Sequence, residues 1–191
     1  MPGAARDELD ELWAVSAEST GPSGEALLVV PADQLIPPEL IAPGSGLRTA
    51  VIERREVEPG EVLRGVIGSP GQRVVLIEQL GTLHGEPLYV VSSYHATDRP
   101  DVLNSGWDTL NLHGDFWTLQ EAFTELFGTE PGPAELSSQA VRCEERTARL
   151  LGLTVGAPVL LREIRLRDVA GVVRVIVYVH YRADRVVLEE S

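Results

Sequence analysis

Polar and apolar residues alternate most clearly near the end of the chain. Val173, Val175, Val177, Val179 and Tyr181 alternate there with Arg174, Ile176, Tyr178, His180 and Arg182. Successive side chains of a strand point to opposite faces, so the first set shares one face, turned to a core or a pocket. Residues 172–182 are rich in β-branched side chains and predict a long strand. Residues 158–168 predict its partner, with Val169-Ala170-Gly171 as the turn. Further strands are predicted at 49–57, closed by Glu58-Pro59-Gly60, and at 73–83 and 87–95, joined by the turn pair His84-Gly85. Residues 136–143 are strand-like as well. Leu119, Ala122, Phe123 and Leu126 have the spacing of an amphipathic helix, with Thr118 as N-cap and Gly128 as C-cap. A second helix is predicted over 144–151, ending at Gly152.

The chain before Leu47 has a different pattern. Leu9, Leu12 and Trp13 predict a short amphipathic helix over 5–17, followed by a Ser/Gly/Pro linker at 19–24. A brief apolar run at 26–30 stops at Pro31, and Pro37, Pro38, Pro43, Gly44 and Gly46 make 31–46 irregular. The expected organisation is therefore an extension over 1–46, holding a short helix, a linker and a possible strand, and one domain over 47–191. Within that domain an offset of 86 residues carries Gly85 onto Gly171, Val91 onto Val177 and Asp98-Arg99 onto Asp184-Arg185. Polar positions outside the turns match too, which predicts an internal duplication about a pseudo-two-fold axis. Carrying the parity of the last strand through this offset places Gln79, Gly81, Tyr89, Val91, Ser93 and His95 on the matching face of the first hairpin.

Charge narrows the function classes. Sixteen Lys and Arg stand against 29 Asp and Glu, a net charge of -13, so the chain lacks the clustered cations that release counterions from DNA. No apolar run reaches membrane-spanning length. The acidic start, with Asp7, Glu8, Asp10 and Glu11, is unlike a signal peptide, so a cytoplasmic location is expected. Cys143 is the single cysteine, which excludes an internal disulfide and a cysteine-rich metal site. The stretch from Gly65 to Gly71 lacks the Lys-Ser/Thr ending of a phosphate-binding loop. No cofactor and no metal are expected.

The motifs, taken in order, resemble the UTRA domain, the effector-binding half of GntR-type bacterial transcription regulators. They are the strand at 49–57, the hairpin 73–95 with His84-Gly85-Glu86-Pro87 at its turn, and Thr118-Leu119-Gln120-Glu121-Ala122-Phe123. Leu150-Leu151-Gly152-Leu153 running into Gly156-Ala157-Pro158-Val159-Leu160 follows, then Tyr181-Arg182-Ala183-Asp184-Arg185. The resemblance covers about residues 47–189 and implies the chorismate lyase-like α+β fold: a mainly antiparallel sheet, helices packed on one face and a small organic ligand enclosed between them. It implies a homodimer as well. Two departures matter. No DNA-binding winged helix is recognisable in these residues, so a standalone module that does not itself bind DNA is expected. The two arginines by which sugar-phosphate-sensing members hold their ligand fall on Gln79 and Gly81, and their carboxylates on Val91 and Val175. Thr118 and Tyr181 match the family's hydroxyl and aromatic. The resemblance then implies a less charged, mostly apolar pocket lined by Gln79, Tyr89, Val91, Ser93, His95, Thr118, Val175, Val177 and Tyr181. The positions of chorismate lyase's catalytic arginine and glutamate fall on Ile77 and Tyr178, against that activity.

Among the four histidines, His84 reads as a turn residue and His180, on the opposite parity, as solvated. His95 lies on the pocket parity as the repeat mate of Tyr181. An imidazole and a phenol facing one cavity would supply a general base and a general acid. Two functions follow. One is a small-molecule sensor without its own DNA-binding domain. The other is a cofactor-independent lyase, dehydratase or cyclase in which His95 and Tyr181 are catalytic.

Overall fold

The computed structural model describes residues 27–31, 40, 44–58, 60, 63, 65–68, 72–98 and 119–189. Their strands are β1 (Leu28–Pro31), β2 (Leu47–Val57), β3 (Arg73–Leu83), β4 (Glu86–Thr97), β5 (Pro131–Arg142), β6 (Pro158–Asp168), β7 (Val173–Arg182) and β8 (Val186–Glu189). Two helices, α1 (Leu119–Phe127) and α2 (Glu145–Leu151), flank β5 along the chain. The six long strands form one sheet in the order β2-β3-β4-β7-β6-β5, antiparallel throughout, and β1 pairs with β8 in parallel. The fold class is α+β, as expected.

The sheet is built from two halves, β2-β3-β4 and β5-β6-β7, that meet where β4 pairs with β7. Ser92 lies opposite Tyr178 there, and the 86-residue repeat relates these same two positions. A pseudo-two-fold axis therefore passes between them. The repeat slips by one residue in β6. Ile77 pairs with Ser93, and Val179, the counterpart of Ser93, pairs with Arg162. Arg162 thus holds in the second half the place that Ile77 holds in the first.

Strand parity sorts the side chains. Tyr89, Val91, Val175, Val177, Val179 and Tyr181 share one apolar cluster with Leu28, Val30, Leu40, Val186 and Phe123. We call this the inner face; β1, β8 and α1 cover it. Leu126 of α1 packs farther along the same face, on Val75 and Ile77. On the outer face Ala148 and Leu151 of α2 pack with Val90, Cys143 and Val159. A second outer cluster joins Val74, Ala96 and Ile176 to Ile67. Burying side chains of this size stabilises by roughly 1.5–3 kcal/mol each, which fixes the helices to their faces.

Three expectations change. The helices lie on opposite faces of the sheet, not on one, because apolar residues of α2 meet the other parity of β4 and β6. Val173 leaves the inner set and packs with Ile67, Val74, Ala96 and Ile176. The boundary at Leu47 cuts through the core: Val30 is fully buried, Leu40 is buried, and the β1 amide of Leu28 donates to the Arg185 carbonyl at 2.8 Å. The helix expected over 5–17 lies outside the described residues.

The turns follow local chemistry. His84 and Gly85 both have positive φ, 52° and 88°, as a two-residue type I′ hairpin turn requires. Gly128 and Gly152 close their helices with φ near 67° and 66°. β5 begins at Pro131, five residues before the expected start. It takes in Pro131 and Pro133, which an edge strand tolerates because one row of its amides needs no partner.

Candidate functional site

The inner face is ordered in rows across the sheet. One row runs Gly81, Tyr89, Tyr181, Leu160. The next runs Gln79, Val91, Val179, Arg162. Ile77, Ser93, Val177 and Ile164 follow, then Val75, His95, Val175 and Leu166. Gln79, Tyr89, Val91, Ser93, His95, Val175, Val177 and Tyr181, all named from sequence, are buried on this face. Thr118 lies outside the described residues.

The register separates His95 from Tyr181. His95 lies opposite Val175, and Tyr181 lies opposite Tyr89, six residues along β4. At 3.3–3.4 Å per residue that is about 20 Å, too far for one small substrate to exchange protons with both. The protonation states add to this. His95 is wholly buried, and desolvation, with the Arg54 guanidinium, pushes its pKa down to about 3. Its Nε2 is 3.0 Å from Ser93 Oγ, and that hydroxyl donates its single proton to the Ile77 carbonyl at 3.2 Å. Nε2 therefore carries the hydrogen and donates. So weak a base drives little proton abstraction at neutral pH. Burial pushes the Tyr181 phenol upward, away from an acid's range. The pair expected for an enzyme is not an acid–base pair.

The first row explains a departure in the sequence. A Cβ on Gly81 would overlap the Tyr89 ring, so β3 needs glycine there and the ring takes the space a side chain at 81 would use. Tyr89 holds this pose through its hydroxyl, 2.8 Å from Thr49 Oγ1, and through an edge contact with Tyr181 at 6.2 Å between centroids. An arginine at position 81 is incompatible with that packing.

Charge returns from the other half. Arg162 is 1% exposed and is the largest fully buried side chain among the described residues. Its Nε donates to Ser138 Oγ at 3.3 Å, and its guanidinium also donates to the Tyr181 hydroxyl. Arg54, half-buried on β2, pairs in register with Ile77 and faces the same side. Gln79 is 1% exposed, and its Oε1 has no hydrogen-bond partner among the described residues. The face is therefore more polar and more cationic than the parity of β4 and β7 alone predicts. Arg162 was missed because only hairpin positions were carried through the repeat. Its signal was present in β6, where it is the one charge in the alternate series Leu160, Arg162, Ile164, Leu166.

Elsewhere, His180 is not solvated. It lies half-buried on the outer face, its Nδ1 has no partner among the described residues, and desolvation holds its pKa below the usual histidine value. Cys143 is buried, and burial raises its thiol pKa, against a nucleophilic role. Among the described residues no three His, Cys, Asp or Glu side chains are grouped to hold a metal ion, and no helix is long and apolar enough to cross a membrane.

This architecture has close counterparts. No curated protein is similar in sequence. In solved structures the chain is similar to the regulator PhnF from Mycobacterium smegmatis, with TM-score 0.69 at 20% identity, over 97% of this chain and 82% of that one. The effector domain of PhnF matches with TM-score 0.61 at 21% identity, over 76% of this chain and 88% of that one. The ligand-binding domain of a GntR-family transcriptional regulator from Bordetella bronchiseptica matches with TM-score 0.55 at 21% identity, over 75% and 90%. At these identities the likeness establishes the fold. The family model of the UTRA domain matches residues 43–187, the span that holds the six-stranded sheet, both helices and β8's start. By that match, on that sheet, this chain belongs to the UTRA domain family.

Proposed function

We propose that the chain is a small-molecule sensor whose ligand contacts the inner face of the sheet, and that it acts as a cytoplasmic homodimer without binding DNA through these residues. The observation that carries this reading is the set of buried polar groups, Gln79, Tyr89, Arg162 and Tyr181, held in two adjacent rows of a UTRA sheet. A pure packing face would be apolar, because each buried polar group loses hydration. The structural counterparts named as effector or ligand-binding domains support the same reading.

Pairing is supported by the edge strand β5. Pro133 to Ala140 is exposed throughout, and a groove of about 310 Å³ lined by Glu135, Leu136, Ser137, Glu163 and Arg165 lies beside it. A long bare edge is a template for another strand, and a second copy offers an identical one. The net charge of -13 supports the absence of DNA binding.

Native mass spectrometry of the purified chain tests the reading. A retained small molecule on a species of twice 20.7 kDa is expected. A ligand-free chain that also shows no thermal response to a broad panel of small molecules overturns it. Fluorescence anisotropy with duplex DNA at physiological salt is expected to show no saturable binding.

A further inference from the structure

We infer that the ligand presents a neutral group carrying both a hydrogen-bond donor and an acceptor, of which a carboxamide is the simplest, to Gln79 and to the hydroxyl pair of Thr49 and Tyr89. This rests on the ligand-binding reading above and names the chemistry at one end of that site. Two observations carry it. First, the Gln79 carboxamide is 1% exposed, and its Oε1 has no hydrogen-bond partner among the described residues. An acceptor left so is costly unless a donor is delivered to it. Second, Thr49 and Tyr89 lie opposite Gly81 from its two sides, and their hydroxyls meet at 2.8 Å. Two hydroxyls hold two protons, and their mutual bond uses one. No other acceptor among the described residues takes the second. An unmet acceptor and a spare donor therefore stand side by side.

These groups share the β2–β3 end of the inner face. Gln79 and Gly81 are two residues apart on β3, about 7 Å along the strand, so the hydroxyl pair is one row from the carboxamide. Two hydrogen bonds of about 2.9 Å with a planar amide between them bridge a gap of that size. The amide N–H donates to Gln79 Oε1, and its carbonyl accepts the spare hydroxyl proton. A carboxylate brings no donor and an ammonium no acceptor, and either loses hydration here. Val91 and Val51, the register partners of Gln79, give the place apolar walls. Val51 is 38% exposed and Thr49 is half-buried, so the approach is from the β2 edge. Arg54, one row along on β2, is already engaged in an interaction of its own, and Arg162 lies three strands away.

The test uses linear primary amides of increasing chain length, each with its matched methyl ester and carboxylate, titrated into the purified chain by calorimetry and thermal shift. At the best length the amide is expected to bind roughly tenfold tighter than the ester, which keeps the carbonyl and lacks the donor, and tighter still than the carboxylate. Gln79→Met is expected to abolish the preference for amide over ester. Thr49→Val/Tyr89→Phe is expected to weaken amide and ester alike and to keep that preference. Because Gln79→Met removes an unmet acceptor, the ligand-free variant is expected to melt no lower than wild type. A marked loss of stability in Gln79→Met, or its failure to fold, means that Gln79 has a structural partner and overturns the inference. An amide preference that survives Gln79→Met overturns it too, as does a carboxylate bound more tightly than its amide. So does a series bound without discrimination, since water alone then satisfies Gln79. If the double variant does not fold, Gln79→Met decides. Should no member of the series bind, the co-purified molecule decides. One that carries a donor and an acceptor on a neutral group and is lost from Gln79→Met supports the inference. One that Gln79→Met retains, or whose polar groups are all ionised, overturns it while the ligand-binding reading stands. An empty protein overturns both.

Discussion

β3 and β6 occupy equivalent places in the two halves of the sheet, yet their inner faces have opposite chemistry. β3 presents Val75, Ile77, Gln79 and Gly81, with the Tyr89 ring laid over the glycine. β6 presents Leu160, Arg162, Ile164 and Leu166, with the guanidinium reaching Ser138 and Tyr181. The outer strands differ as well. β2 anchors Thr49 and Arg54 to the covered face, whereas β5 is exposed over most of its length. A duplicated backbone fixes where side chains point and leaves their chemistry free, so the equivalent strands carry a glycine under a tyrosine ring in one half and a buried guanidinium in the other. The buried histidine sets the halves apart too. His95 is neutral and fully enclosed, and its repeat mate is Tyr181, which does not titrate in the same range.

That contrast yields the largest expected effect. An unfolded histidine takes up a proton near pH 6.5, while folded His95 takes one only near pH 3. Its contribution to stability is complete above about pH 6.5 and is lost as the pH falls toward 3. The loss is on the order of 4 kcal/mol over that window. Urea denaturation of wild type and His95→Gln at pH 7 and pH 4 measures it: the gap between the two proteins is expected to narrow on acidification. A gap that stays constant breaks the comparison. Next, Ile77→Ala removes a wholly buried side chain and is expected to cost about 2–5 kcal/mol in the same assay. A cost under about 1 kcal/mol would mean that β3 is loosely packed at this position. Gly81→Ala forces a methyl into the Tyr89 ring and is expected to cost roughly 1–3 kcal/mol, with much of that relieved in a Gly81→Ala/Tyr89→Leu double variant. Strict additivity of the two changes would deny the ring its place over the glycine. The smallest effect belongs to Thr49→Val, which removes the 2.8 Å partner of the Tyr89 hydroxyl and is expected to cost about 1 kcal/mol in thermal unfolding.

Alternation along 173–181 was enough to determine β7 and to assign Val175, Val177, Val179 and Tyr181 to one buried face, because period-two patterning is local and needs no partner. Turn chemistry placed the hairpin at His84-Gly85 and the helix end at Gly128 for the same reason. The 86-residue repeat was equally readable, and with it the two-fold organisation of the sheet. Pairing decided the rest. Only the register puts about 20 Å between His95 and Tyr181, since a repeat offset names equivalent positions and not neighbouring ones. Only the one-residue slip in β6 brings Arg162 into the row of Gln79. Only packing assigns α2 to the outer face, removes Val173 from the inner set, buries His180 and draws β1 into the core. These are non-local contacts. A strand's own residues determine which of them share a face, and the neighbouring strand determines what they meet there.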